Sequence, residues 1–260
     1  MRWRGVVVVG AIALGGCRPL PAALRHSPYT VINGDPRVKE VPPEPTQAEW
    51  NDARAHFVAL QREVPVRPYV ERVRVAVLDP RSGKVVQARG AVAVHPGQAA
   101  RMVLLGPGGT TALDLWITPD RWRVSIPAAH IERRGGRDLG DALGLPVGFV
   151  RWWFLAPIAG ELLYTQSTAA DERTLWFKND GGVIELRANA ERLLAIRRAE
   201  DGRVDGVEWL SPSPAPRPRR QARYIDAAIG VRVDVLIEDV SPDEPDPAAF
   251  LDPDEKGTPL

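Results

Sequence analysis

Arg101–Ile117 reads RMVLLGPGGTTALDLWI, two apolar runs joined through Gly106, Pro107, Gly108 and Gly109. In the first run Met102 and Leu104 fall on one face, with Val103 and Leu105 on the other. In the second, Thr111, Leu113, Leu115 and Ile117 share a face opposite Ala112, Asp114 and Trp116. Alternation with a period of two marks sheet strands. The joining residues suit a turn, because glycine reaches positive φ at little steric cost and proline pre-sets φ. Taken alone this is an ordinary hairpin in an all-β core. Its neighbours along the chain decide what it belongs to.

Upstream, Val73, Val75 and Val77 alternate with Arg72, Arg74 and Ala76 as far as a turn at Asp79–Gly83. Val86, Ala88, Gly90, Val92 and Val94 form the next alternating face, ending at Pro96 and Gly97. Downstream of the hairpin, Trp122, Val124 and Ile126 lie between Pro119 and Pro127. Five consecutive strands with short turns predict an antiparallel meander. The rhythm breaks over 128–160. His130–Arg137 reads as a polar loop, Asp138–Leu143 as a short helix closed by Gly144 and Pro146, and Gly148–Pro157 is apolar almost all round, with Arg151 its only charge. A helix apolar on every side must be buried, lie in a membrane or cover an apolar cavity.

Strands resume at Arg173–Phe177, Val183–Arg187, Leu193–Arg198 and Val204–Leu210. The stretch 211–220 is too rich in proline for a strand interior, and Tyr224–Ile229 and Val231–Glu238 follow as strands. The acidic, Pro-rich tail 241–260 is expected to be loosely held, and no internal repeat is evident. Before the strands, Thr46 and Glu49 make a capping box. Trp50, Ala53, Phe57 and Leu60 then recur at helical spacing, predicting an amphipathic helix to about Glu63, stopped by Pro65.

The chain has 260 residues, 44% of them apolar, with 34 basic against 33 acidic side chains, so no basic excess points to nucleic acid. Arg2 and Arg4 precede the apolar run Val6–Leu14, which is shorter than the roughly 20 residues a bilayer span needs and has the layout of a signal peptide over 1–16. Leu14-Gly15-Gly16-Cys17 resembles a bacterial lipobox, which implies cleavage before Cys17 and its acylation with chains of the palmitate class. Loss of 1–16 leaves 32 basic against 33 acidic residues, a net charge of −1. Cys17 is the single cysteine, so the mature chain has no intramolecular disulfide. Several acyl chains give a durable anchor where one is marginal. By the sorting rule for such lipoproteins, Arg18 in place of Asp implies the periplasmic face of the outer membrane. Residues 17–45 then form the lipidated start and an extended tether.

Catalytic signatures are missing. His26, His56, His95 and His130 show no metal spacing, and His130 with Glu132 is a solvated loop pair rather than a metal site. There is no GxSxG, no phosphate-binding glycine loop and no cofactor motif. Asp114 stands as a lone carboxylate among apolar residues. Trp152-Trp153 has the form of a sugar platform, but in so apolar a segment packing or lipid contact is the simpler reading.

The order of parts resembles LolB, the outer-membrane lipoprotein receptor, and its periplasmic carrier relative LolA. Leu104–Leu115 is similar to that family's strand, Pro-Gly loop and strand. Ala142–Gly148 through Trp152–Gly160 is similar to its short helix, proline and aromatic helix ending at glycine. The likeness spans residues 46–240. It implies a mainly β, α+β fold: a curved antiparallel sheet, an incomplete barrel, closed by helices over an apolar cavity. Cavity or lid residues would be Leu104, Leu113, Leu115 and Trp122 from the strands, with Phe149, Trp152, Trp153 and Phe154 from the helix. Residues 106–109 would form the transfer loop. LolB carries an exposed leucine directly after that proline; here the position is Gly108, so Leu105 or another loop takes the role, or the transfer is not completed.

The resemblance implies a non-enzymatic lipoprotein that binds acyl chains or acylated lipoproteins, without metal or cofactor, with a LolA-like periplasmic carrier as donor. Each buried methylene contributes roughly 0.8 kcal/mol, so about ten give roughly 8 kcal/mol gross, on a micromolar scale before ordering costs. The alternative is an envelope scaffold that docks a protein partner through the Pro-rich loop 211–218 or the tail 241–260. An envelope hydrolase lacks any catalytic constellation to support it.

Overall fold

The computed structural model describes residues 44–78, 80, 82–137, 146–169, 172–179, 182–198, 204–226, 230–241 and 243–254. The expected signal peptide, Cys17, the expected tether as far as residue 43 and the expected short helix over 138–143 lie outside them. Pro45–Leu260 is a compact unit of its own.

Among the described residues thirteen strands form one antiparallel sheet. They are β1 (Tyr69–Leu78), β2 (Val85–His95), β3 (Ala99–Leu105), β4 (Thr111–Ile117), β5 (Trp122–Ile126), β6 (Ile131–Gly135), β7 (Glu161–Ala169), β8 (Glu172–Asn179), β9 (Gly182–Ala188), β10 (Leu193–Arg198), β11 (Val204–Trp209), β12 (Gln221–Asp226) and β13 (Val231–Ser241). Two meanders, β1 to β6 and β7 to β13, join along the β1–β13 pair, where Val75 faces Val235. β6 and β7 are the free edges, so the sheet does not close into a barrel. The connection between these opposite edges carries helix α2, Val147–Leu155.

Helix α1, Gln47–Glu63, begins at the capping box: the Glu49 amide donates to Thr46 Oγ1 and the Thr46 amide to Glu49 Oε2 at 2.7 Å. Its stripe Ala53, Phe57 and Leu60 is buried, Phe57 meeting Phe177 of β8 at 4.9 Å between ring centroids. Asp52 pairs with Arg173 beside it.

α2 fixes the curvature of the sheet. The Gly97 amide, in the β2–β3 turn, donates to Leu155 O at 3.1 Å. At the other end of α2, Arg197 Nη1 of β10 donates to Gly148 O at 3.1 Å. β3 and β10 stand six strand steps apart in the sheet, about 29 Å if it were flat, whereas Gly148 and Leu155 are only about 10 Å apart along the helix. The sheet must wrap around α2. Its inner face carries Glu71, Val73 and Val75 of β1, Val92 and Val94 of β2, Met102 and Leu104 of β3, and Val233, Val235 and Ile237 of β13, all buried.

Four expectations change. The polar loop His130–Arg137 contains strand β6, so the first meander has six strands rather than five. Its half-buried and exposed residues alternate without an apolar face, as an edge strand permits. β7 was not anticipated, because Glu161–Ala169 is largely polar. Asp114 is not alone: it accepts two hydrogen bonds from Arg101, at 2.9 and 2.8 Å. Finally, residues 243–254 are docked. Trp116 Nε1 donates to Phe250 O at 3.0 Å, the His95 and Phe250 rings lie 5.5 Å apart, and Asp254 pairs with Arg123 and Arg134. This segment covers the outer side of β4, which is why Trp116 is buried as well as Leu115 and Ile117.

Candidate functional site

α2 is buried at every position except Arg151. Its rings form one continuous stack: Phe149 on Trp153 at 5.4 Å, Trp153 on Phe154 at 4.6 Å, and Phe149 against Tyr224 of β12 at 5.9 Å. Few polar ties hold the helix. Besides the bonds from Gly97 and Arg197, Arg151 donates to Arg137 O, Arg121 O and Gly136 O at 3.3–3.4 Å. Burial pushes the Arg151 guanidinium below its usual pKa. Arg197 also lies over the Trp152 ring at 5.5 Å.

Seven of the eight expected cavity residues are no more than 5% exposed, and Leu113 is half-buried against the same core. The structure therefore brings Leu104, Leu115 and Trp122 together with Phe149, Trp152, Trp153 and Phe154 in one apolar cluster. Trp122 lies over its cross-strand partner Gly135, where an added Cβ would come within 2.7 Å of the indole.

Loop residues 106–109 are separate from this cluster. Pro107, Gly108 and Gly109 are exposed, and the turn is closed by Gly106 N to Thr110 O at 2.8 Å. Gly108 has φ of 72°, a conformation side chains resist, although nothing lies within 4 Å of where its Cβ would be. The exposed apolar side chains Leu105, Val77, Val85 and Val86 belong to the same end of the sheet, since the end of β1, the start of β2 and the end of β3 lie side by side there.

A charged cluster on the inner face was not anticipated. Arg220 extends the inward row of Ala222, Tyr224 and Asp226 and reaches past β13 to β1, where its Nη2 donates to Glu71 Oε2 at 2.8 Å. The two side chains are 2% and 0% exposed. The guanidinium lies 4.9 Å from the Trp153 ring and 5.8 Å from that of Trp209. Burial raises the Glu71 carboxyl above its usual pKa, with Arg220 opposing. Burial also raises the neighbouring Tyr69 hydroxyl, helped by the Glu71 charge. The signal was present in the alternation: Glu71 is the one charged residue in an inward row that runs Tyr69, Glu71, Val73, Val75.

No protein-family model and no curated relative matches the sequence. Among solved structures, a LolA superfamily protein from Nitrosomonas europaea superposes with a TM-score of 0.51 at 14% identity, over 77% of this chain and 97% of that one. The chain has a LolA-like fold. A putative outer membrane lipoprotein-sorting protein domain from Vibrio parahaemolyticus is similar at 8% identity, over 73% and 90% of the two chains, with a TM-score of 0.45. Within the LolA-like fold, α2 and the inner sheet face form the enclosed apolar region. Among the described residues no cluster of three or more His, Cys, Asp or Glu could hold a metal, and no helix is long and apolar enough to cross a membrane.

Proposed function

We propose that this protein is a non-enzymatic, outer-membrane-anchored lipoprotein that binds acyl chains or acylated lipoproteins on the inner face of its sheet, with Cys17 as the acylated residue. The supporting observation is α2: a helix apolar on all sides, enclosed by a LolA-like sheet and tied to it by few polar contacts. An acyl chain offers the inner face the same apolar contact that α2 does. Exchanging one for the other costs little burial, which makes α2 the movable wall of the site. Leu104, Leu113, Leu115 and Trp122 would then line the fixed wall, and Phe149, Trp152, Trp153 and Phe154 the movable one. The loop 106–109 and the adjacent exposed Leu105 would meet the membrane or the client, and a LolA-like periplasmic carrier would be the donor.

The test uses residues 18–260, which retain the compact unit, titrated with a fluorescent fatty-acid probe and competed with a purified acylated lipoprotein. Saturable binding displaced by the acylated client, and not by its unacylated form, is expected. Metabolic labelling with an alkyne palmitate should mark the full chain and be lost in Cys17→Ser, with the wild type fractionating with outer membranes.

The envelope-scaffold reading draws on a different observation: in this structure aromatic rings fill the space beneath the sheet. Because residues 243–254 are bound to the chain's own outer face, a docked partner would use the Pro-rich loop 211–218. Absence of saturable probe binding, together with partner capture that is lost when this loop is replaced, would decide for the scaffold.

A further inference from the structure

Among the described residues, nine buried side-chain nitrogen or oxygen atoms have no hydrogen-bond partner, and four of them belong to one ion pair and the two indoles against it. They are Glu71 Oε1, Arg220 Nε, Trp153 Nε1 and Trp209 Nε1. The Glu71–Arg220 pair is itself within the core, and both tryptophan rings lie against the Arg220 guanidinium. Buried polar groups are nearly always satisfied, and each exception asks for an explanation. An ion pair here is no simple source of stability either, since apolar replacements of such pairs are often as stable or more so.

The unmet groups comprise one acceptor, Glu71 Oε1, and three donors. A secondary amide complements those that stay with the sheet when α2 moves: its N–H donates to the carboxylate and its carbonyl oxygen accepts from Arg220 Nε–H and the Trp209 indole N–H. An ester offers the carbonyl alone and leaves Glu71 Oε1 unpaired. A free carboxylate would stand beside the Glu71 charge and be repelled. The pair lies on the inner face against Trp153 of α2, so a chain that takes the place of α2 there lies against it.

We propose that Glu71 and Arg220, with the indole N–H group of Trp209, form a polar subsite for the amide group of an N-acylated ligand whose chain takes the place of α2 on the inner face of the sheet. This rests on the acyl-binding reading above and narrows it from acyl chains in general to amide-linked ones.

The test compares three matched probes displacing a fluorescent fatty acid from residues 18–260: N-methylpalmitamide, N,N-dimethylpalmitamide and methyl palmitate. N-methylpalmitamide should bind at least about tenfold more tightly than methyl palmitate, the size of effect expected for hydrogen bonds to charged groups, and the dimethyl amide should lose most of that gain. In the double variant E71M/R220M, which leaves no unpaired buried charge, the amide-to-ester ratio should fall to about one while methyl palmitate binds as before. Binding of all three with equal affinity overturns the subsite and leaves the acyl-binding reading standing. Binding of none overturns both. A ratio retained in the double variant overturns the assignment to this pair. If that variant does not fold, the indole N–H resonance of Trp209 decides: it should move downfield with N-methylpalmitamide, as a newly hydrogen-bonded N–H does, more than with N,N-dimethylpalmitamide or methyl palmitate, and equal responses overturn the subsite.

Discussion

Arg220 shows how one side chain can shape the interior of this fold. It spans β13 to meet Glu71, and both charges are out of water. Removing one partner leaves the other buried and uncompensated, which costs about 3–5 kcal/mol, whereas removing both costs far less. R220M and E71M should therefore each lower the urea midpoint markedly, and the double variant should recover most of the loss. Additive losses in this double-mutant cycle would show that the pair does not act as a unit. His56 on α1 behaves differently. Burial, followed by the nearby Arg173, lowers its pKa from the usual 6.5. The neutral imidazole is thus the form the fold prefers. Its contribution to stability is complete above pH 6.5 and is lost as the pH falls through the lower folded value. Thermal unfolding followed across pH 4–8, as a window around these values, should show the wild type weakening on the acid side, with His56→Gln flattening that limb. An unchanged slope would mean another group sets it.

The docked C-terminal segment makes a separate element-scale case. Phe250 and its neighbours cover Trp116 on the outer face of β4, while Asp252 and Asp254 reach Arg121, Arg123 and Arg134. Deleting 243–260 should uncover Trp116, raise acrylamide quenching of tryptophan fluorescence, and cost about 2 kcal/mol, the scale for burying one large apolar side chain. Unchanged quenching would mean that another segment shields Trp116. This segment was not legible in the sequence, because its contacts lie up to 134 residues away and its acidic, Pro-rich composition reads as solvated. The strands with one apolar face, β1 to β5 and β8 to β13, were legible because burial imposes alternation on them. The edges β6 and β7 were not, since an edge strand can be polar on both sides. The aromatic helix stood out because eight of its nine residues are buried. Glu71 and Arg220 lie 149 residues apart, so no local pattern could pair them, although a glutamate between Tyr69 and Val73 on an inward face marked one end.

At the scale of the whole molecule, the open sheet and α2 depend on each other. The sheet has free edges at β6 and β7, and the chain between those edges is the segment that carries α2. Any ligand that uses the inner face must bind when α2 has moved off it, so its apparent affinity is reduced by the small fraction of molecules in that state. The polar ties of α2 then control binding from outside the apolar surface. Arg197→Met removes the bond to Gly148 O and the contact with the Trp152 ring. A hydrogen bond of this kind contributes about 1–1.5 kcal/mol, so the open population should rise by up to about tenfold. The variant should be less stable in urea yet bind a fluorescent fatty acid more tightly and faster, and hydrogen exchange at Val147–Leu155 should accelerate. Loss of stability with weaker probe binding would instead make Arg197 a contact for the ligand and α2 a fixed part of the core.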